Sequence, residues 1–377
     1  MAPRAPWQQL CLSDYMSDSP DAPLRVALIG YGASGPVFHA PLISVTDGLI
    51  LDTVVTGNPE RQARAVADYP GVTTVASTDE LWKAAGRLDL VVIATPNRTH
   101  VPLAAAALRA GLPVVVDKPM AGTAAEAAAL AELAEIQGLL LSVFQNRRWD
   151  NDFLTLRSLL DKGALGAVSR FESRFERWRP VPKGGWRESG DPSEYGGLLY
   201  DLGSHLVDQA LTLFGPVRTV YAESDVRRPG VGADDDTFVA LDHAGGVRSH
   251  LWMSAVAAAL GPRLRVLGSV AGYVKYGLDP QEAALREGRR PGKDWGEEPE
   301  SAWGTLGAGI SSCGDGDRVP TLPGDYPAYY AGIAAALRDG TAPPVTAREV
   351  VAALEVIEAA RRSAAERRTV TLDVTPE

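Results

Sequence analysis

Cysteine is nearly missing from this 377-residue chain: it occurs only at Cys11 and Cys313. That is too few for a disulfide framework and fits a reducing cytoplasm. Blocks of positive charge are missing as well. The 37 Lys+Arg face 47 Asp+Glu, for a net charge of −10, which argues against nucleic acid or an anionic membrane as main partner. Long apolar runs are lacking too. The longest uncharged stretch, 26–46, holds three glycines, two prolines and His39, a composition unsuited to a bilayer helix. Residues 1–23 have no signal-peptide core; with Asp14, Asp18, Asp21 and four prolines they read as a flexible acidic extension. No Cys/His cluster has metal spacing and no serine sits in a nucleophile elbow, so neither a metal site nor hydrolysis is expected.

What remains is an ordinary globular composition, 45% hydrophobic, at a length that suggests two domains with ample core. Residues 24–30 (LRVALIG) read as a strand buried on both faces. A helical stretch follows at 37–45, then a strand at 49–55 and a polar helix at 59–68. Another buried strand at 89–94 leads into the alanine-rich helix 101–110, which Gly111 stops. After a strand at 113–116, helix 123–137 opens with a capping box, Thr123 and Glu126, and closes at Gly138. A strand at 139–144 completes the alternation. Such alternation implies right-handed βαβ units and a doubly wound parallel sheet over 24–147.

From 148 on the pattern changes. One helix near 153–162 precedes β-like pieces at 168–178, 217–224, 237–242, 247–255 and 263–267, so a mainly antiparallel sheet is expected. Segment 288–327, rich in Gly, Pro and Trp, reads as a long ordered loop. A last helix opens with a second capping box, Thr346 and Glu349, runs to about 367, and leads to a strand at 369–372. The predicted class is α/β: a Rossmann sheet plus a C-terminal α+β domain, 148–377.

Gly30-Tyr31-Gly32-Ala33-Ser34-Gly35 matches G-x-G-x-x-G between a strand and a helix. The first glycine permits the turn, the second lets backbone approach a pyrophosphate, and the third lets helix and strand pack closely. An acidic residue about 20 positions on would hold the ribose 2′-hydroxyl of NAD. Thr56-Gly57-Asn58 stands there instead, with no carboxylate until Glu60 and with Arg61 and Arg64 after it. Thr56, Asn58 and Arg61 can donate to a 2′-phosphate, which favours NADP(H) over NAD(H). The alternative makes both arginines solvated helix residues.

Asp117-Lys118-Pro119 follows a strand at the sheet's carboxyl edge, where ligands of such sheets bind. Lys118 can donate to a substrate oxygen there, or be an exposed loop lysine. In the second domain, helical spacing from Leu198 would put Asp201 and His205 on one face with Asp208 close by. That is an acid–base unit, or a helical contact without function. His39 and His100 are expected to make cofactor or packing contacts. Trp178, Trp186, Trp252, Trp295 and Trp303 could stack on a ring, but each is more readily core.

These motifs, in order, resemble the Gfo/Idh/MocA oxidoreductases: G-x-G-x-x-G, E/D-K-P, and G-G-x-x-x-D-x-G-x-H over 196–205. FHAPLI at 38–43, NRRWDNDFLT at 146–155, WRE at 186–188, YDLGSHLVDQ at 200–209 and residues 274–286 are similar to the branch containing NADP-dependent scyllo-inositol dehydrogenases. The likeness spans about 24–373. It implies a Rossmann domain, a second domain whose open sheet forms homodimers or homotetramers, and a site made by both. Lys118, Asp201 and His205 would be catalytic. Beyond the glycine turn (Gly30, Tyr31, Gly32, Ala33, Gly35), cofactor contacts would come from Phe38, Thr56, Asn58, Arg61, Thr95, Pro96, Asn97, His100, Asp117, Lys118, Trp186 and Arg187. Substrate contacts would come from Lys118, Asn146, Arg148, Asp201, His205 and Asp208. Asp117 stands where the family more often has glutamate. The implied activity is NADP(H)-linked hydride transfer to or from a cyclic polyol or ketone, scyllo-inositol/scyllo-inosose first. Alternatives are a keto-sugar reductase or other polyol dehydrogenase, a redox-assisted glycosidase, and a non-catalytic NADP(H) sensor.

Overall fold

The computed structural model describes residues 22–309 and 316–373. Most of the expected N-terminal extension, together with Cys11 and Cys313, lies outside these residues. Six strands, β1 (Leu24–Ile29), β2 (Leu49–Val55), β3 (Thr73–Val75), β4 (Leu90–Ile93), β5 (Val114–Asp117) and β6 (Leu141–Phe144), form one sheet in the order β3-β2-β1-β4-β5-β6. Every pairing in it is parallel. Val26, Leu28, Val91, Val92, Val114 and Val115 are fully buried, as a sheet covered on both faces requires. Each such side chain contributes roughly 1.5–3 kcal/mol by leaving water.

The connecting helices are α1 (Ala40–Val45), α2 (Pro59–Asp68), α3 (Thr78–Trp82), α4 (His100–Arg109) and α5 (Ala124–Gln137). Their ends follow local chemistry. The Asn58 side chain accepts from the Arg61 N–H to start α2; Thr123 and Glu126 make the expected capping box, and Gly138 closes α5 at φ 63°. Ahead of α1, Gly35–His39 winds as a π turn, which the helical expectation over 37–45 does not distinguish. β3 and α3, both short, were not expected.

The second sheet has nine strands. β7 (Val168–Glu176), β8 (Val217–Asp225), β9 (Asp236–His243), β10 (Arg248–Ser254), β11 (Leu264–Gly268), β12 (Gly272–Lys275), β13 (Gly304–Gly307), β14 (Asp317–Val319) and β15 (Val370–Thr371) lie in the order β14-β13-β12-β11-β7-β10-β9-β8-β15. It is antiparallel except where β7 runs parallel to β10. Along β9, buried and half-buried residues alternate, the period-2 pattern of a sheet with one face on a core. α6 (Asn151–Asp161) and α7 (Ser204–Phe214) belong to this unit. The expected loop at 288–327 contains β13 and β14, so it is partly sheet.

α8 (Gln281–Arg286), α9 (Pro327–Asp339) and α10 (Ala347–Glu366) follow. Thr346 and Glu349 form the second capping box, with Glu349 accepting from Thr346 N–H at 2.7 Å. The two compact units are not consecutive stretches. Among the described residues, 281–293 and 325–351 group with 22–146, and the second unit comprises 147–280, 294–309, 316–324 and 352–373. The reason for the return is visible in α9. Tyr329 packs edge-on to Phe144 of β6 and bonds Ser142 at 2.9 Å, while Tyr330 meets His39.

Candidate active site

The glycine turn after β1 is built by steric necessity. Gly30 has φ 101°, and a Cβ there would strike the Ala94 carbonyl. A Cβ on Gly35 would strike the Gly30 carbonyl, so the third glycine is what lets the following helix close on β1. Gly32 and Ala33 are exposed. Among the described residues outside its own turn, the group nearest a Cβ on Gly32 is the guanidinium of Arg61, 3.4 Å away. Tyr31 differs: its ring is buried and its hydroxyl donates to Asp68, so it faces α2 rather than the turn's open side. Burial and Asp68 together push the Tyr31 phenol upward.

At the end of β2, Thr56 is buried and Asn58 uses its carbonyl oxygen as the α2 cap, leaving its amide N–H groups for other partners. Arg64 is tied to Asp68 at 3.2 Å. Among the described residues Arg61 makes no side-chain hydrogen bond or ion pair. The two arginines are therefore unequal. A glycine turn exposed at Gly32 beside a guanidinium without a partner among the described residues fits a dinucleotide. Phe38, in the π turn, lies under the Arg286 guanidinium at 5.6 Å.

Two loops at the carboxyl edge of this sheet carry further expected residues. Thr95-Pro96-Asn97 follows β4, and Lys118-Pro119 follows β5. His100 joins them: its Nδ1 lies 2.7 Å from the Pro119 carbonyl and its Nε2 2.8 Å from that of Thr95. Asn97 is buried. The carboxylate of Asp117 accepts from the Lys118 N–H at 2.8 Å. Burial alone would raise the Asp117 carboxyl, but His39, then His100 and Lys118, hold it down at about 2.

In the second unit, Gly197 (φ 93°) opens a π turn, Leu199–Gly203, that runs straight into α7. Asp201 sits in the π turn and His205 in the first turn of α7, 4% exposed. Single π turns within helices are frequent at functional sites. Asp201 is 3.6 Å from Arg187, whose guanidinium lies over Trp186 at 4.3 Å. Trp186 and Arg187, expected at the cofactor, thus stand beside a proposed catalytic carboxylate within this unit. Arg148 and Asp208, both expected at substrate, form a buried bidentate pair at 2.8 and 2.7 Å. Asn146 is buried in the 3₁₀ turn Asn146–Trp149.

One residue escaped the sequence reading. Asp234 accepts from the Leu199 N–H at 2.8 Å and so caps the π turn carrying Asp201. Burial raises its carboxyl. Its only sequence signal is the run Asp234-Asp235-Asp236, 33 residues from Asp201, which no local motif links to that turn. Among the described residues no group of three or more His, Cys, Asp or Glu could hold a metal ion. No helix there is long and apolar enough to cross a membrane.

Residues 24–145 match the NAD-binding Rossmann fold of an oxidoreductase family, and residues 157–372 match that family's C-terminal alpha/beta domain. The chain is 44% identical over 358 residues to the uncharacterized oxidoreductase YdgJ of Escherichia coli, covering 95% of this chain and all of that one. It is 37% identical to the scyllo-inositol 2-dehydrogenase (NADP(+)) IolW of Bacillus subtilis, over 93% of this chain and 96% of the other. The solved structure of the oxidoreductase YvaA from Bacillus subtilis superposes with a TM-score of 0.88 at 37% identity, over 94% of this chain and 99% of that one. With both halves matched, this chain belongs to the Gfo/Idh/MocA family of oxidoreductases.

Proposed function

We propose that the protein is an NADP(H)-dependent dehydrogenase of cyclic polyols, with scyllo-inositol and its ketone as the substrate pair. The observation that carries the cofactor reading is Arg61, uncommitted among the described residues and laid against Gly32, after a β2 end, Thr56-Gly57-Asn58, that holds no carboxylate before Glu60. A 2′-phosphate at that β2 end meets the Arg61 cation where NAD-type sites carry an acidic residue. The substrate reading leans on the likeness to IolW, a scyllo-inositol 2-dehydrogenase.

The bound nicotinamide supplies or accepts the hydride. This chain's residues handle the oxygen and its proton. In the oxidation direction His205 takes the hydroxyl proton, Asp201 holds the imidazole, and Lys118 donates to the oxygen as it becomes a carbonyl. Reduction reverses each role. Arg148 aligns Asp208, whose remaining lone pairs accept from ring hydroxyls, and Asn146 adds a polar contact. Trp186 and Arg187 approach the cofactor beside Asp201. A cytoplasmic location and a dimer or tetramer built on the half-exposed face of the second sheet belong to the same proposal.

The test is NADPH-linked reduction of scyllo-inosose, run beside NADH and a panel of keto-sugars. Fast turnover of scyllo-inosose with NADPH supports the reading. Turnover of a keto-sugar alone keeps the mechanism and changes the substrate. Tight NADPH binding with no turnover of any ketone makes the protein a sensor.

A further inference from the structure

Behind Lys118 lies a line of polar groups that the proposed mechanism does not use. His39 is fully buried, at the end of the π turn that follows the glycine loop. Its Nδ1 is 2.6 Å from the Tyr330 hydroxyl, delivered by α9 from 291 residues away. Among the described residues its Nε2 has no hydrogen-bond partner, and it lies 3.7 Å from Asp117 Oδ2. The other oxygen of that carboxylate, Oδ1, takes the backbone N–H of Lys118. Leaving a buried imidazole nitrogen without a hydrogen-bond partner is a net cost to a fold, so a fold that keeps one here gains something from its direction.

The Asp117 carboxylate sets the tautomer: with Nε2 facing an anion, a neutral imidazole carries its proton there and accepts the Tyr330 O–H at Nδ1. We propose that Tyr330, His39 and Asp117 form a buried relay that positions Lys118. The hydroxyl donates to His39 Nδ1, Nε2–H steadies one carboxylate oxygen, and the other oxygen fixes the backbone from which the lysine reaches its substrate. The inference rests on the reading that Lys118 touches the substrate oxygen. His39 and Tyr330 are positioning residues in it; neither meets the reacting atoms.

The groups facing Asp117 are His39 from the π turn, His100 from α4, Lys118 from its own loop and Tyr330 from α9. Removing His39 takes away the largest of the influences that oppose burial, so the Asp117 carboxyl rises from about 2. The decisive experiment compares wild type, His39→Gln and Tyr330→Phe in two measurements. The first is the pH profile of kcat and kcat/KM. The second is the ¹³C titration of the Asp117 side-chain carboxyl, assigned with Asp117→Asn. In His39→Gln kcat falls by up to about a hundredfold, the scale of a small misplacement of a reacting group. NADPH affinity changes little, an acid limb moves up in pH, and the Asp117 resonance titrates higher. Tyr330→Phe, which folds with the least disturbance, moves both in the same direction by less.

Unchanged titration of Asp117 in both variants overturns the relay, whatever happens to activity. So does a higher Asp117 titration with kcat and its pH profile left at wild type. If wild type reduces no ketone, the dehydrogenase reading fails on its own, and the carboxyl titration still decides whether His39 and Tyr330 hold Asp117.

Discussion

Replacing Arg61 by alanine isolates the feature on which the cofactor assignment depends. The side chain is exposed on the first turn of α2, 3.4 Å from the place where a Cβ on Gly32 would stand, and among the described residues no carboxylate claims it. A charge-assisted contact contributes roughly 1.5–3 kcal/mol. Exposure puts this one at the low end, because solvent and salt screen it. About 1.4 kcal/mol is tenfold in affinity, so Arg61→Ala weakens NADPH binding by about tenfold. NADH has nothing at that position and is bound as before. Nicotinamide fluorescence titrations with both cofactors measure this without any substrate. Raising the salt concentration shrinks the wild-type preference for NADPH and leaves the variant almost unaffected. A ratio of NADPH to NADH affinity that is the same in both proteins refutes the assignment of Arg61 to the 2′-phosphate.

Other expectations follow from the same geometry. His205→Ala lowers turnover by roughly 10²–10⁴-fold, the usual contribution of a general acid or base, with NADPH affinity retained; full turnover in that variant removes His205 from the chemistry. Arg148→Met leaves the Asp208 carboxylate buried without its bidentate partner and costs about 3–5 kcal/mol of stability, read by urea denaturation; a loss near zero contradicts the pairing. Asp117 has a carboxyl held below its ordinary value of 3.8, at about 2. A lowered carboxyl favours the folded state while ionised, so that stability is present above 3.8 and fades as pH falls toward 2. The stability difference between wild type and Asp117→Asn therefore narrows across that interval, and a difference that widens instead contradicts the account.

Much of the first unit was legible because its signals are local. β2 and α2 occupy the expected residues, since an apolar run and an Asn-Pro start are read within one stretch of chain. The capping boxes at Thr123 and Thr346 were readable for the same reason. The π turns at Gly35–His39 and Leu199–Gly203 were not. They change which carbonyl each N–H meets while leaving the side-chain pattern helical. Strands of three or four residues, such as β3, β13 and β14, are too short for period-2 alternation to register. Long-range placement was least visible. That Tyr330 would stand behind His39, or Asp234 cap the turn of Asp201, depends on pairings across 291 and 35 residues. The glycine turn, Lys118 and His205 were legible as candidates because each sits at a strand end or helix start that chemistry marks. Their supporting partners come from elsewhere in the chain and carry no such mark.

The account's central claim is a hydride passed between NADPH and a ring carbon. Its most direct test is isotopic: NADPH carrying deuterium at C4, scyllo-inosose, and mass spectrometry of the alcohol formed. The account predicts product that carries the deuterium on the carbon that was the ketone, from wild type and, far more slowly, from His205→Ala. Unlabelled alcohol, or no alcohol while NADPH is tightly bound, contradicts it.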